Sequence, residues 1–418
     1  MRITKISAIP WPFELLIVLY VFHTTLPVFG FLIPAIVHGA SMFLLYIMLA
    51  TYDKHFGQNV VKTLPIFSIY ILNIIYRGFS NFAVDIYWDL QIFLYPLLAL
   101  YLMRYANGKT LKRMLIFIGV SYMITAITTY IGNIIFPLAS RTIVSTEDVN
   151  QVNTYRLYNI GGFNIIYAFV LLLPVVIYMM RDKILPLFWG IIVLIVILAT
   201  ILESEYTTAL LVSTLTLVSL FLMRKRLSSK SVLALLAGII IVVILFDQYI
   251  FPQMSRLIGV FEGEQINQKL RELSEFSVGQ EAYEGDLGAR YNFYKLSIES
   301  FANNPIWGSK EAALSGHSLI LDTLGQSGLV GLFCLIVMYA QIFRSFYKPF
   351  KKTNFYGYAF YSFCIAIALA IINPKDNMLV LTFMIPLCSS YFSKCFVLKK
   401  IVTTKSNDNI KKEALLTN

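Results

Sequence analysis

The sequence predicts an all-α polytopic membrane protein with about twelve transmembrane helices and one large outer loop that carries short amphipathic helices. Composition is the first observation behind this. Of 418 residues, 58% are hydrophobic and only 14% charged, with mean hydropathy +0.70. Soluble domains run near half apolar and a quarter charged. The second observation is the steady return of apolar runs of roughly 17–25 residues, about the length a helix needs to cross the hydrocarbon core. The third is that lysine and arginine gather in every second connection.

The runs lie near 11–29, 33–51, 61–77, 86–104, 113–136, 161–180, 184–202, 206–223, 231–250, 317–343, 355–372 and 377–394. The first follows Arg2 and Lys5 and so mimics a signal peptide. It extends for about a full span and a second run follows, so it reads as an uncleaved first helix. Prolines 27 and 34 mark the first hairpin tip, and Pro137 and Pro374 mark other ends, because proline breaks the helix ladder. Basic groups stand at the N-terminus, at Lys54 and Lys62, and along 104–113. They recur at Arg181 and Lys183, along 224–230 and 344–352, and in the C-terminal tail. An even helix count puts all of them on the cytoplasmic side, with both termini. The expected organisation is residues 1–250 as helices 1–9, 251–316 as the large outer loop, 317–395 as helices 10–12, and 396–418 as a cytoplasmic tail.

The formal net charge of +11 belongs to this inward bias, so nucleic acid is not an expected partner. Cys334, Cys364, Cys388 and Cys395 fall in or beside apolar segments with no metal-ligand spacing. None lies in the long polar loop, so no disulfide framework is expected.

Two outer segments carry the polar chemistry. One lies near 137–161 and the other, roughly 65 residues long, runs from Phe251 to Gly316. Within the longer one, Ile266, Leu270 and Leu273 recur at helical spacing. So do Leu287, Tyr291, Tyr294, Ile298 and Phe301, with Asp286 as N-cap and Asn304 before Pro305 as the end. These predict amphipathic helices lying on the bundle.

His317 stands at the junction of this loop and an apolar helix, where an imidazole can take a proton at neutral pH while reaching water and a lipid-borne substrate. The plainer reading is a helix-start polar residue satisfied by solvent. His55 falls in a cytoplasmic loop, and His23 and His38 toward the outer ends of the first two helices. Arg290 borders the apolar face of its helix. It either snorkels along the membrane surface or binds phosphate through its planar fork, and Arg156 divides the same way. Gly325, Gly328 and Gly331 read as close helix packing. Trp307 and the tyrosines suit either sugar stacking or interfacial anchoring. Glu203 and Glu205 read as solvated. No carboxylate pattern makes a metal site, and no cofactor is expected.

LGARYNFYKLSIESFANNPIWG followed by GHSLILDTLGQSGLVGL resembles the signature of the bacterial O-antigen ligase and polysaccharide polymerase family. YRLYNIGGFNIIYAF is a fainter match to its Arg-x-x-Gly-x-x-x-x-Asn segment. Motif matching covers about a fifth of the chain. The resemblance implies metal-independent glycosyl transfer from undecaprenyl-pyrophosphate-linked glycan at the periplasmic face of the bacterial inner membrane. It implies His317 as base on the acceptor hydroxyl and Arg290 on the pyrophosphate, with Tyr291 and Tyr294 beside it. Ligases carry a Ser/Thr-Arg pair at the outer junction of a middle hairpin. Here that junction reads Glu203-Ser204-Glu205, so Arg156 or Arg141 would have to substitute. The departure favours a polymerase of O-antigen, capsule or related exopolysaccharide, acting on lipid-linked oligosaccharides beside membrane lipid and a possible chain-length regulator protein. A ligase to lipid A-core is the alternative, and a flippase or transporter the alternative from another class.

Overall fold

The computed structural model describes residues 9–77, 82–145, 148–222, 286–309, 318–372 and 377–394. Every regular element among them is helical. Prolines set the first turns. Helix α1 (Trp11–Thr25) starts behind Pro10, α2 (Pro27–Leu32) opens on Pro27, and α3 (Ala35–Tyr52) starts behind Pro34. Proline suits a first turn because its missing N–H has no helical partner there.

The single span expected over 61–77 is a correction. Helix α4 (Phe56–Thr63) gives way to a 3-10 turn, Leu64–Phe67, built around Pro65, and α5 (Ser68–Arg77) follows. Pro65 cannot donate to the ladder, so the run breaks there. Helix α6 (Phe82–Tyr105) is followed by α7 (Gly108–Ile135), which Asn107 caps by accepting from the Thr110 N–H at 2.8 Å. Asn107→Ala should cost about 1 kcal/mol, read as a lower melting midpoint in detergent; an unchanged midpoint would mean that water caps the helix equally well.

The segment near 137–161 folds as two short helices, α8 (Ala139–Ser145) and α9 (Val149–Leu157). Then come α10 (Phe163–Arg181), α11 (Leu187–Glu203), α12 (Thr207–Leu222), α13 (Asp286–Asn303), α14 (Leu319–Ile342), α15 (Tyr356–Ile372) and α16 (378–394). The run expected over 231–250, the loop over 251–285 with Ile266, Leu270 and Leu273, and the tail over 396–418 lie outside the described residues.

Among the described residues, α3, α7, α10 and the stretch Leu319–Phe350 are long and apolar enough to cross a membrane. Helices α1 and α11 and the stretches 208–221 and 356–371 are apolar but shorter. Among the described residues, four helices thus have the length and composition of a membrane span. Apolar runs include turn residues that helices exclude: the run over 11–29 passes the end of α1 because Pro27 starts a new helix. Large apolar side chains cover the outside of these helices. Ile36 is 81% exposed, Phe188 69% and Phe333 66%, a pattern that suits lipid and not water.

Helix α10 is the centre, buried on most of its faces and packed on α11, α12 and α15. Between lipid-bathed helices the hydrophobic drive is weak, so close approach and polar links hold the bundle. Gly190 of α11 lies against Met180 of α10. Thr200 Oγ1 of α11 donates to the Ala126 carbonyl of α7 at 2.9 Å.

The two ends of the bundle differ in chemistry. At one, buried Asp53 accepts from Asn59 Nδ2 at 2.6 Å and from the Tyr105 hydroxyl at 3.1 Å, with Arg104 at 3.7 Å. Arg181 donates to the Tyr358 hydroxyl and the Leu220 carbonyl, and Lys394 to the carbonyls of Met103 and Ala106. These bonds gather the last turns of α6, α10, α12 and α16 and the first turn of α15. A short connection joins α14 to α15, so α14 ends here too.

Candidate functional site

Three features position polar groups, two at the α8–α9 end and one between α13 and α14. The first is a hub on Asn159. Its backbone takes the left-handed conformation at φ 56°, which asparagine tolerates well. Its Nδ2 donates to Thr128 Oγ1 at 2.9 Å and Thr125 Oγ1 at 3.3 Å, and its Oδ1 accepts from the Val28 N–H at 3.1 Å. The Gly161 N–H donates to Thr129 Oγ1 at 2.7 Å, and Gly132 of α7 gives Ile160 room to lie on the helix. One asparagine thus ties α2, α7 and the chain entering α10. Arg156, in the last turn of α9 three residues earlier, is exposed.

The second feature is a cluster around Tyr206, between α11 and α12. The Tyr206 hydroxyl donates to the Ser140 carbonyl at 2.9 Å, and the Arg141 guanidinium lies over the ring, 6.0 Å from its centroid. Phe163 meets the same ring edge-on at 5.7 Å, with Tyr167 at 6.1 Å. Asn133 of α7 bridges the cluster, donating to Ser204 Oγ at 3.1 Å and accepting from the Ser140 N–H at 3.0 Å. Glu205, expected to be solvated, has a carboxylate oxygen buried with no hydrogen-bond partner among the described residues. The cause is local: Glu205 follows the last turn of α11 at φ 52°, in the left-handed conformation that turns the chain back into the bundle.

The third feature is a joint between α13 and α14. Helix α14 is interrupted at Gly328, with φ 60° and ψ −152°. The turn after α13 enters this break. Leu329 N–H donates to the Pro305 carbonyl at 2.8 Å and Val330 N–H to that of Ile306 at 3.2 Å. In return the Gly325 carbonyl accepts from the Ser309 N–H at 3.0 Å and Ser300 Oγ at 2.9 Å. The groups freed by the break are thereby satisfied, as a buried backbone requires. A side chain at Gly308 would meet the Gln326 backbone at 2.3 Å, and one at Gly325 the Ser297 backbone at 3.0 Å. The glycine repeat does serve close packing, and its middle member also breaks the helix. Ile298, expected on the buried face of α13, is 55% exposed, while Ser297 is buried. Close approach to Gly325 selects the small residue for the contact.

Of the residues singled out from sequence, Arg141 joins the Tyr206 cluster, Arg156 sits nearby at the end of α9, and Tyr294 is half-buried on α13. Positions 290 and 291 lie on α13, but the side chains of Arg290 and Tyr291 lie outside the described structure. His317 lies outside the described residues, immediately before Ser318, the N-cap of α14. Helix α13 packs chiefly on α14, while α8 packs on α7 and α9. His23 and His38 do lie in the last turn of α1 and the first turn of α3, with rings stacked at 3.5 Å. Sequence reading missed Asn159 as the hub. Its signal was the Asn-x-Gly-Gly turn facing the threonines of α7.

No protein-family model and no curated protein sequence matches the chain.

Proposed function

We propose that this protein is a polymerase of O-antigen, capsule or a related exopolysaccharide. It transfers an undecaprenyl-pyrophosphate-linked glycan onto a hydroxyl of another lipid-linked repeat unit, at the outer face of the bacterial inner membrane. The α8–α9 end faces the periplasm, and the end bearing Asp53 and Arg181 faces the cytoplasm, with both termini. His317 takes the proton of the acceptor hydroxyl as its oxygen attacks the anomeric carbon. The bond to pyrophosphate breaks, and Arg290, with Arg156 or Arg141, stabilises the departing charge. Membrane lipid holds both polyprenyl tails, and a chain-length regulator is a natural partner.

The reading rests on the ordered motif from Gly288 to Leu332 alone, since no family match supports it. What supports it physically is the joint at the heart of that motif. The Asn-Pro-x-x-Gly turn is bonded into the break of α14, and residue 317 directly precedes the same helix. The test is the glycan profile of a knockout. Loss of polymerase leaves single repeats on the acceptor core. Long chains stranded on the lipid carrier would make the protein the ligase instead, and an unchanged profile would refute glycan transfer altogether.

One observation favours a transporter: broken helices mark transport sites, where half-helix ends bind the substrate. Here the N–H groups of Leu329 and Val330 are already bonded to Pro305 and Ile306, which leaves those donors unavailable to a substrate.

A further inference from the structure

We infer that the surface where α4 meets the end of α14 binds the headgroup of an anionic phospholipid, whose acyl chains lie along α5 and α14. The inference stands apart from the glycan-transfer reading, because it uses none of the residues assigned to that chemistry.

Two basic segments far apart in sequence meet here. The Gln341 side-chain amide, in the last turn of α14, donates to the carbonyl of Lys62, in the last turn of α4, at 2.7 Å. Beyond α14 the chain continues through a π-helical turn, Phe343–Tyr347, and a 3-10 turn, Lys348–Phe350. Ser345, Phe346 and Tyr347 are buried, and the Tyr347 hydroxyl donates to the Leu381 carbonyl at 3.1 Å, which anchors this backbone. Arg344, Lys348, Lys351 and Lys352 are exposed on it, as is Lys62 on α4.

The chain supplies no counter-ion for this charge. No aspartate or glutamate occurs between residues 54 and 84 or between 323 and 375. Carboxylates at this end of the bundle are engaged elsewhere: Asp53 with Asn59, Tyr105 and Arg104, and Glu14 with Arg113. Among the described residues no ion pair reaches Lys62, Arg344, Lys348, Lys351 or Lys352. Gathered like charges repel, so an anion from outside the chain stabilises the patch.

Its position selects a lipid. Ser68 Oγ, at the start of α5, donates to the Cys334 carbonyl at 3.2 Å, so α5 runs back along α14 from the patch. Ile71 and Ile75 of α5 and Phe333 and Ile336 of α14 are exposed. Basic groups at the head of an exposed apolar track match a phosphate at the head of acyl chains. The Arg344 fork suits two phosphate oxygens at once, and the lysines add point charges. A nucleic acid or an acidic protein would use the charge and leave the apolar track unfilled.

The experiment titrates full-length protein in an uncharged detergent with dioleoyl phosphatidylglycerol and reads the melting temperature. Wild type should melt higher as this lipid is added. Arg344→Gln combined with Lys348→Gln should raise the half-saturating concentration about thirtyfold, the effect of two basic contacts to an anionic headgroup. Lys109→Gln combined with Lys112→Gln removes the same charge from the start of α7, and should change it by no more than about twofold because salt screens distant charges. All four side chains are exposed, so both variants should melt like wild type without lipid. Equal loss in the two variants would reduce the patch to diffuse charge and overturn the site. Equal stabilisation by phosphatidylcholine would overturn the anionic headgroup, and equal stabilisation by inorganic phosphate alone would overturn the lipid. A wild type that ignores phosphatidylglycerol overturns the inference outright.

Discussion

A knockout complemented with His317→Ala should make single repeat units and no ladder, while the variant accumulates in the membrane at the wild-type level. Removing a general base typically costs 10²–10⁴-fold in rate, enough to erase a product that needs many successive transfers. The fold should not notice. The start of α14 is capped by Ser318, which is fully buried; its Oγ accepts from the Leu321 N–H at 3.1 Å, and its own N–H donates to Asp322 at 3.3 Å. The helix therefore has its cap without help from position 317. A normal ladder in this variant would remove His317 from the chemistry. A ladder that persists on the lipid carrier but never reaches the core would point to the ligase.

The second large effect is structural. Gly328→Ala should cost about 3–5 kcal/mol and leave little folded protein in detergent. The backbone at Gly328 lies where practically only glycine goes, and holding another residue there costs about 1–3 kcal/mol. The new methyl would also stand 2.5 Å from the Ile306 backbone, so the turn must withdraw. Withdrawal strains the bonds from Leu329 to Pro305 and from Val330 to Ile306, each worth about 1 kcal/mol. Gly119→Ala in α7 is the control, because nothing lies within 4 Å of the added methyl. It should gain up to about 1 kcal/mol from the better helix residue. Equal melting of the two variants would mean that the joint contributes nothing to stability.

Long apolar runs made the spans α3, α7 and α10 legible to within a few residues, since hydropathy and helix length are one constraint in a bilayer. Pro65 breaks the helix inside an apolar run that continues through it, so hydropathy alone does not show the break. Gly328 is a different case. A glycine repeat reports that two backbones approach, but which member turns left-handed depends on where the partner turn enters. That partner, Pro305–Gly308, is known only once the chain is folded. The face of α13 was misread for a similar reason. Periodicity chose Ile298 for burial, and a small residue opposite Gly325 packed instead. At the candidate site, Arg141 and Arg156 were named for their charge. Their settings, one over an aromatic ring and one exposed at a helix end, depend on a fold of α8 and α9 that polar spacing did not announce. The partly buried setting of Glu205 is not legible either, because nothing in the letters around it shows a left-handed turn.

The joint between α13 and α14 is made largely of main-chain groups, and that bears on how this protein can change over generations. Every residue except proline offers the same N–H, and every residue the same carbonyl. Ile306 and Gln326 are free to vary in identity while the bonds persist. What the lineage must keep is the absence of a side chain at Gly308 and Gly328. Such a connection tolerates wide divergence in spelling with little change in shape, so kinship through this region would survive in architecture long after it faded from the letters.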